Sequence, residues 1–355
     1  MQGHLLDFSD FDFANTILGT MMSKTKLTRS LCEVTLEDGT KEQAITYFGK
    51  DLSEDEHGFF IEHGNWQQDQ DENKLSYKEV VDGLIGGKYK NIMVMTGAGI
   101  SVSAGIPDFR SPKTGVYANL KEYDLPRPEA IFDIEYFVDK PEAFYKFMVN
   151  FDLTKHSATP THYFIKMLHE KKLLFKNMTQ NIDNLEEKTG IDMDMVIQAH
   201  GANRGAHCSK CKKKKDAEEM AAAIQKQEVL RCKECQGPVK PDITFFGEGL
   251  PAEFMEFMDP DMLKPVDLLI VMGTALAVGP FNQLPLLLKA TVPKLLFNLD
   301  NTKDTGTVDF CTGANNLFVP GKCDETIAQL CKDVKWWDDF QKVLPDKHKE
   351  TEEKK

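Results

Sequence analysis

Residues 91–112, NIMVMTGAGISVSAGIPDFRSP, decide the fold. Ile92, Met93, Val94 and Met95 form a continuous apolar run between polar neighbours, as expected of a strand buried on both faces of a parallel sheet. Thr96 closes it. Gly97 and Gly99 then permit a tight turn and the close approach of an anion to the backbone, and a helix is expected from Ser101 with its N-terminal N–H groups aimed at that anion. A lone glycine pattern is equally a plain turn between strand and helix. A hydride-transferring dinucleotide fold usually has a third glycine three residues after the second, and here Val102 stands at that position. Gly105-Ile106-Pro107-Asp108-Phe109-Arg110-Ser111-Pro112 follows instead, a proline-stiffened loop carrying an acid, a ring and a guanidinium, suited to fold over a cofactor.

Further strands predict a sheet whose polar residues collect at one edge. The segment near Leu173–Met178 runs into Thr179-Gln180-Asn181-Ile182-Asp183-Asn184-Leu185, and Met195-Val196-Ile197 into Gln198-Ala199-His200-Gly201. Asp267–Gly273 leads to Thr274-Ala275, and Lys294–Leu299 to Asp300. Polar residues directly after parallel strands lie at the carboxyl edge, where doubly wound folds bind ligands. Asn and Asp there also serve as helix caps, and an isolated His is commonly structural. His200 nevertheless follows a strand at that edge, precedes a glycine that leaves room for a ligand, and has an ordinary pKa suited to a base at neutral pH.

Cys208-x2-Cys211 and Cys232-x2-Cys235 have the spacing of two knuckles that bring four thiolates to one tetrahedral Zn²⁺. Four sulfurs leave no open coordination position, so the zinc is expected to be structural; a redox dithiol is the alternative. The basic run at 212–215 reads as solvated, or else as a partner contact.

GAGISVSAGIPDFRSP, TQNIDNLE at 179–186, the His200 segment and the paired CxxC motifs resemble the sirtuins, the NAD-dependent protein-lysine deacylases, over roughly residues 78–335. The resemblance implies an α/β, doubly wound, Rossmann-like parallel sheet with a small zinc-binding module at about 205–240 and a helical insertion. It implies NAD contacts along Gly97, Ala98, Gly99, Ile100, Ser101, Val102 and Asp108, with Phe109 shielding the reacting ribose carbon and Arg110 helping to hold the cofactor. It gives Gln180 to the ribose, the catalytic Asn181 to the nicotinamide pocket and its ordered water, Ile182 to the cofactor, and Asp183 to the carboxamide of nicotinamide. His200 takes a proton from a ribose hydroxyl. Gly273, Thr274, Ala275, Asn298, Leu299 and Asp300 complete the cofactor site, with Cys323 near the adenine. Thr244, Phe245, Phe246 and Gly247 are implied to pair with a substrate peptide and line the acyl-lysine tunnel. The chain departs from the family at Ala275, usually Ser, at Ala277, usually larger and polar, and at Leu299, usually basic.

The implied activity is protein-lysine deacetylation, with the acetyl group passed to ADP-ribose and nicotinamide released. Val116-Tyr117-Ala118-Asn119 lacks the Tyr and Arg pair that family members taking acidic acyl chains carry. The chain resembles most the cytosolic and nuclear class acting on tubulin and histones, so acetylated proteins are the expected partners. Mono-ADP-ribosyl transfer and NAD sensing without turnover stay open as alternatives.

The rest of the chain sets bounds. At 355 residues it has room for a full core. No run of 18 apolar residues predicts a membrane span, no signal segment is legible, and eight cysteines with four in CxxC pairs suit a reducing compartment; a cytoplasmic, or also nuclear, protein is expected. A net charge of −13 argues against stable nucleic-acid binding. Residues 1–75 carry more than two acids per base and are expected to form a partly ordered extension. There Phe8, Phe11, Phe13, Ile17 and Leu18 suggest a helix face, and 33–48 suggests two strands about Asp38-Gly39. Residues 76–335 are expected to form the catalytic domain, and 336–355 a charged, solvated tail.

Overall fold

The computed structural model describes residues 27–35, 41–49, 59–60, 74–109, 111, 115–150, 155–302, 305 and 307–349. The chain divides into two compact units, Met1–Asp71 and Glu72–Lys355. In the first, strands β1 (Leu27–Thr35) and β2 (Lys41–Gly49) pair antiparallel in unbroken register from Leu27 opposite Gly49 to Thr35 opposite Lys41. A short β3 (Phe59–Phe60) pairs with β2. The two expected strands are therefore present; the Asp38-Gly39 turn and the apolar face from Phe8 to Leu18 lie outside the described residues.

The second unit runs α1 (Tyr77–Ile85), β4 (Ile92–Thr96), α2 (Ile134–Asp139), α3 (Glu142–Asn150), α4 (Pro160–Glu170), β5 (Leu174–Thr179), β6 (Val196–Gln198), β7 (Gly201–Cys208), β8 (Lys214–Lys215), α5 (Ala217–Gln225), β9 (Val239–Ile243), β10 (Leu268–Met272), β11 (Lys294–Asn298), β12 (Asn316–Pro320), α6 (Cys323–Asp333) and α7 (Trp337–Val343). Six strands form a parallel sheet in the order β12-β11-β10-β4-β5-β6. Every residue of β4 and β10 is buried, as their unbroken apolar runs require. Val94, Ile270 and Phe297 pack toward α1, α4 and α6. Met93, Met95 and Val271 face the opposite layer, against Phe254, Phe281 and Leu284. The sheet is thus doubly wound, and the direction of winding reverses between β4 and β10, which makes a crevice at their carboxyl ends.

The small module, an antiparallel sheet β8-β7-β9 with α5, shares one core with the helical insertion. Phe132, Phe137, Phe144, Tyr145, Phe147 and Phe245 pack there mostly edge to face, with centroids such as Phe137–Phe245 at 5.4 Å. Phe132, Phe137, Phe144 and Phe147 of the insertion are core residues. Tyr145 Oη joins the two parts: it donates to Val239 O at 2.7 Å and accepts from Leu230 N–H at 3.1 Å.

Three expectations are corrected. No α-helix starts at Ser101; the chain makes 3₁₀ turns at Ala98–Ile100 and Val102–Ala104, because Gly105 turns left-handed (φ 90°) and Pro107 follows. The charged tail begins later than residue 336. Trp336, Trp337, Phe340, Val343 and Leu344 form an apolar face that closes over α4, with Phe340 buried, and His348 Nε2 meets Ala158 O at 3.0 Å. Residues 350–355 lie outside the described residues. His162, expected to be a surface or capping residue, caps α4 through Thr159 and is buried, at 1% exposure.

Tyr145→Phe leaves Leu230 N–H and Val239 O without their partner and is expected to cost about 1–3 kcal/mol. Thermal denaturation reads this directly; an unchanged melting temperature contradicts the joining role of that hydroxyl.

Candidate functional site

The crevice at the switch point opens into a cleft of about 1050 Å³. Its floor is a contact between two loops. Gly99 N–H donates to Gly273 O at 2.7 Å, and a Cβ on Gly99 would stand 2.7 Å from Gly273 Cα. A Cβ on Gly97 would stand 2.6 Å from Thr274 Cβ, and Gly273 itself has φ +61°. Packing of protein on protein therefore requires glycine at these positions. Ala98, Gly99 and Val102 line the cleft on one side of this floor, and Gly273, Thr274 and Ala275 on the other.

The ends of β5 and β6 supply the polar groups. Gln180 accepts from Thr274 Oγ–H at 2.6 Å through Oε1, and its carbonyl faces His200 Nδ1 at 3.0 Å. A carbonyl only accepts, so Nδ1 carries the ring proton and the neutral His200 presents the Nε2 lone pair. Burial pushes the His200 pKa below its ordinary value, and the bond to Gln180 opposes that shift. Asn181 donates to Gly97 O (3.1 Å) and Ser101 Oγ (3.3 Å), and Ser101 Oγ–H donates to Asp183 Oδ2 at 2.7 Å. Gln180, Asn181, Ile182 and His200 line the cleft, while Gly97, Ile100, Ser101 and Asp183 stand behind the lining.

The remaining expected residues fall along the same cleft. Asp108 accepts from both the N–H and the hydroxyl of Ser111, and Phe109 packs on Tyr117 (5.8 Å) and Phe132 (5.9 Å). Asn298, Leu299, Asp300 and Cys323 line the far end, where Asn298 donates to Thr274 O at 3.3 Å. Leu299 is 66% exposed, and burial pushes the Cys323 thiol up to about 12. Arg110 lies outside the described residues. His207 turns away to pair with Asp242.

Thr244, Phe245, Phe246 and Gly247 also line the cleft, with one correction: β9 ends at Ile243, and both backbone groups of Phe246 are already taken, by Phe132 O and Ile134 N–H. A peptide strand cannot pair at Phe246. Two residues that hold this segment had no legible signal. Lys240, 1% exposed, donates to Glu248 (2.9 Å) and Ile243 O (2.6 Å), and Glu248 accepts from Phe245 N–H at 3.0 Å.

In the small module the sulfurs of Cys208, Cys211, Cys232 and Cys235 all lie within 4.8 Å of one another, with Cys208–Cys235 at 3.4 Å and Cys211–Cys232 at 3.7 Å. A tetrahedron of zinc–sulfur bonds of about 2.3 Å has sulfurs about 3.8 Å apart, so the set fits a structural zinc.

A family model described as the Sir2 family matches residues 97–280. The chain is 42% identical over 258 residues to the NAD-dependent protein deacetylase hst2 of Schizosaccharomyces pombe, covering 73% of this chain and 76% of that protein. It is 45% identical over 280 residues to the NAD-dependent deacetylase sir2A of Dictyostelium discoideum, covering 76% and 54% respectively. With the NAD-dependent protein deacetylase sirtuin-2 of Danio rerio it shares 40% identity over 290 residues, 78% of this chain and 76% of that one.

Cys232→Ser is expected to release the zinc and unfold the small module. Metal analysis and thermal denaturation check this; unchanged metal content and melting contradict a four-sulfur site.

Proposed function

We propose that this chain, which belongs to the Sir2 family, uses His200 as the base of its reaction. The chain is an NAD-dependent protein deacetylase, passing the acetyl group of acetylated proteins to ADP-ribose and releasing nicotinamide. The observation that carries the assignment of the base is the commitment of His200 Nδ1–H to Gln180 O, which leaves Nε2 free to take a proton inside the cleft.

The cleft fits NAD by its size and by the chemistry of its donor set. Polar groups stand at both ends, Asn298 and Asp300 after β11 and Gln180 with Asn181 after β5, across the glycine floor, with Asp183 directly behind. When bound, NAD supplies an electrophilic ribose carbon with nicotinamide as its leaving group. Asp183 would accept from the carboxamide N–H, while Asn181 holds the adjoining loop through Gly97 O. Phe109 would cover the reacting carbon and exclude water. His200 Nε2 would take a ribose hydroxyl proton. Asn298 and Asp300 would hold the adenosine ribose.

The acyl chain is acetyl. Ile182, Ile243, Phe245 and Phe246 give that part of the lining an apolar character, and Lys322 is the one Lys or Arg among the described lining residues. Lys322 stands beside Cys323 at the start of α6, and Lys240, 4.6 Å from the Phe245 ring, is already paired with Glu248. An acetylated lysine is already neutral and enters such a wall without the desolvation cost of an ammonium. Histones and tubulin are the proposed protein substrates. Cytoplasm is the proposed location, with nucleus as a second; among the described residues no helix is long and apolar enough to cross a membrane.

His200→Ala is expected to keep its fold and NAD binding and to lose formation of deacetylated peptide and O-acetyl-ADP-ribose by at least about 100-fold. The wild-type kcat/KM is expected to hold at neutral pH and to fall only as the medium acidifies past the depressed His200 pKa, below 6.5. Near-normal turnover in the variant, or an acid limb above 6.5, contradicts the assignment. Ala275→Ser restores a hydroxyl in the cleft and is expected to lower KM for NAD about two- to tenfold, the effect of one ordinary hydrogen bond, with KM for peptide unchanged.

A further inference from the structure

Behind the cleft, α4 and the segment after β5 bury His162, Asp183 and Glu186, exposed by 1, 6 and 2%. One nitrogen or oxygen from each lies within 4.8 Å of the other two. His162 Nδ1 meets both the Thr159 N–H (3.2 Å) and the Thr159 hydroxyl oxygen (2.7 Å), so either tautomer finds a partner on that side. His162 Nε2 and both oxygens of Glu186 are buried without a hydrogen bond of ordinary geometry, the Thr179 hydroxyl lying near enough to Glu186 to favour its charged form. Asp183 already accepts from Ser101 Oγ–H and Leu185 N–H. An even triangle with sides of 4.8 Å, the upper limit here, has its corners about 2.8 Å from its centre, so one small group such as a water can reach all three.

A divalent metal is the rival occupant, and it needs the Nε2 lone pair together with an ionised Glu186. Burial pushes His162 down to about 4 and, with the charge of Asp183, pushes Glu186 up to about 7, which shifts both side chains toward their neutral forms and favours water.

More unpaired groups occupy the same face of the sheet. Thr96 lies opposite Thr179, and Asn177 opposite Val94, whose side chain packs toward α4. Thr96 Oγ and both amide atoms of Asn177 are buried without partners. Native interiors satisfy such groups with ordered water.

We infer that His162, Asp183 and Glu186 hold a buried water, and that His162 and Glu186 act through it as positioning residues for Asp183. The water joins Ser101 and Leu185 in fixing the carboxylate that, on the assignment above, receives the nicotinamide carboxamide. Neither His162 nor Glu186 touches substrate or cofactor.

A crystal structure of the zinc-bound protein, at a resolution that shows ordered water, is expected to place one water within hydrogen-bond distance of His162 Nε2, Asp183 and Glu186, with total metal of one zinc per chain. Glu186→Gln keeps a neutral hydrogen-bonding group, so KM for NAD and inhibition by nicotinamide should stay within about twofold of wild type. Glu186→Leu and His162→Phe should raise KM for NAD and weaken nicotinamide inhibition about tenfold while KM for peptide holds. Should either fail to fold, the density and the remaining variants decide. A dry or metal-bearing chamber overturns the inference, as does an equal rise in both KM values. Asp183→Asn separates the two layers. Unchanged nicotinamide inhibition in that variant refutes the nicotinamide assignment itself, whereas impaired inhibition there with no effect of Glu186→Leu or His162→Phe refutes the positioning alone.

Discussion

The contact of Gly99 with Gly273 is the constraint on which the site depends. At the switch point of a doubly wound sheet the loops after adjacent strands leave in opposite directions and open a crevice. Here the two loops meet backbone to backbone on its floor, with the Gly99 N–H on Gly273 O and no room for a methyl on either residue. The cleft therefore has a rigid base made of main chain. Its walls inherit their positions from that base, because Asn181 donates to Gly97 O and Thr274 to Gln180.

From this floor a short relay reaches the catalytic ring. Thr274 orients the Gln180 side chain, and the Gln180 carbonyl fixes the tautomer of His200. Loops from four strands are thereby tied together by a few hydrogen bonds, and burial of the imidazole keeps it an uncharged base at neutral pH. A second set of ties runs through the small module. Lys240 and Glu248 hold the segment from Ile243 to Phe246, and the shared aromatic core places that segment against the helical insertion. A zinc site with no open coordination position contributes to catalysis only through such packing.

Much of this was legible in the sequence because its signals are local. The apolar run of β4, the polar clusters after β5 and β6, and the CxxC spacing each act within a few residues of themselves. What was misjudged depends on distant partners. Nothing near Gly99 announces that Gly273 will press on it. The helix expected at Ser101 gave way to 3₁₀ turns because Gly105 and Pro107 intervene. Trp336 to Leu344 looked like the start of a tail, yet it covers α4, whose apolar face lies far away in sequence. Lys240 and Glu248 gave no signal at all, since a buried ion pair has no spacing rule. His162 and Glu186 were equally silent: a capping histidine and a helix acid become a chamber only when α4 packs on the sheet.

The central claim is that the cleft couples deacetylation to the consumption of NAD. Mass spectrometry of a reaction containing the full chain, NAD and an acetyl-lysine peptide tests it most directly. Nicotinamide, deacetylated peptide and O-acetyl-ADP-ribose in equal amounts are predicted. Nicotinamide released without deacetylated peptide, or ADP-ribose left on protein, would contradict it.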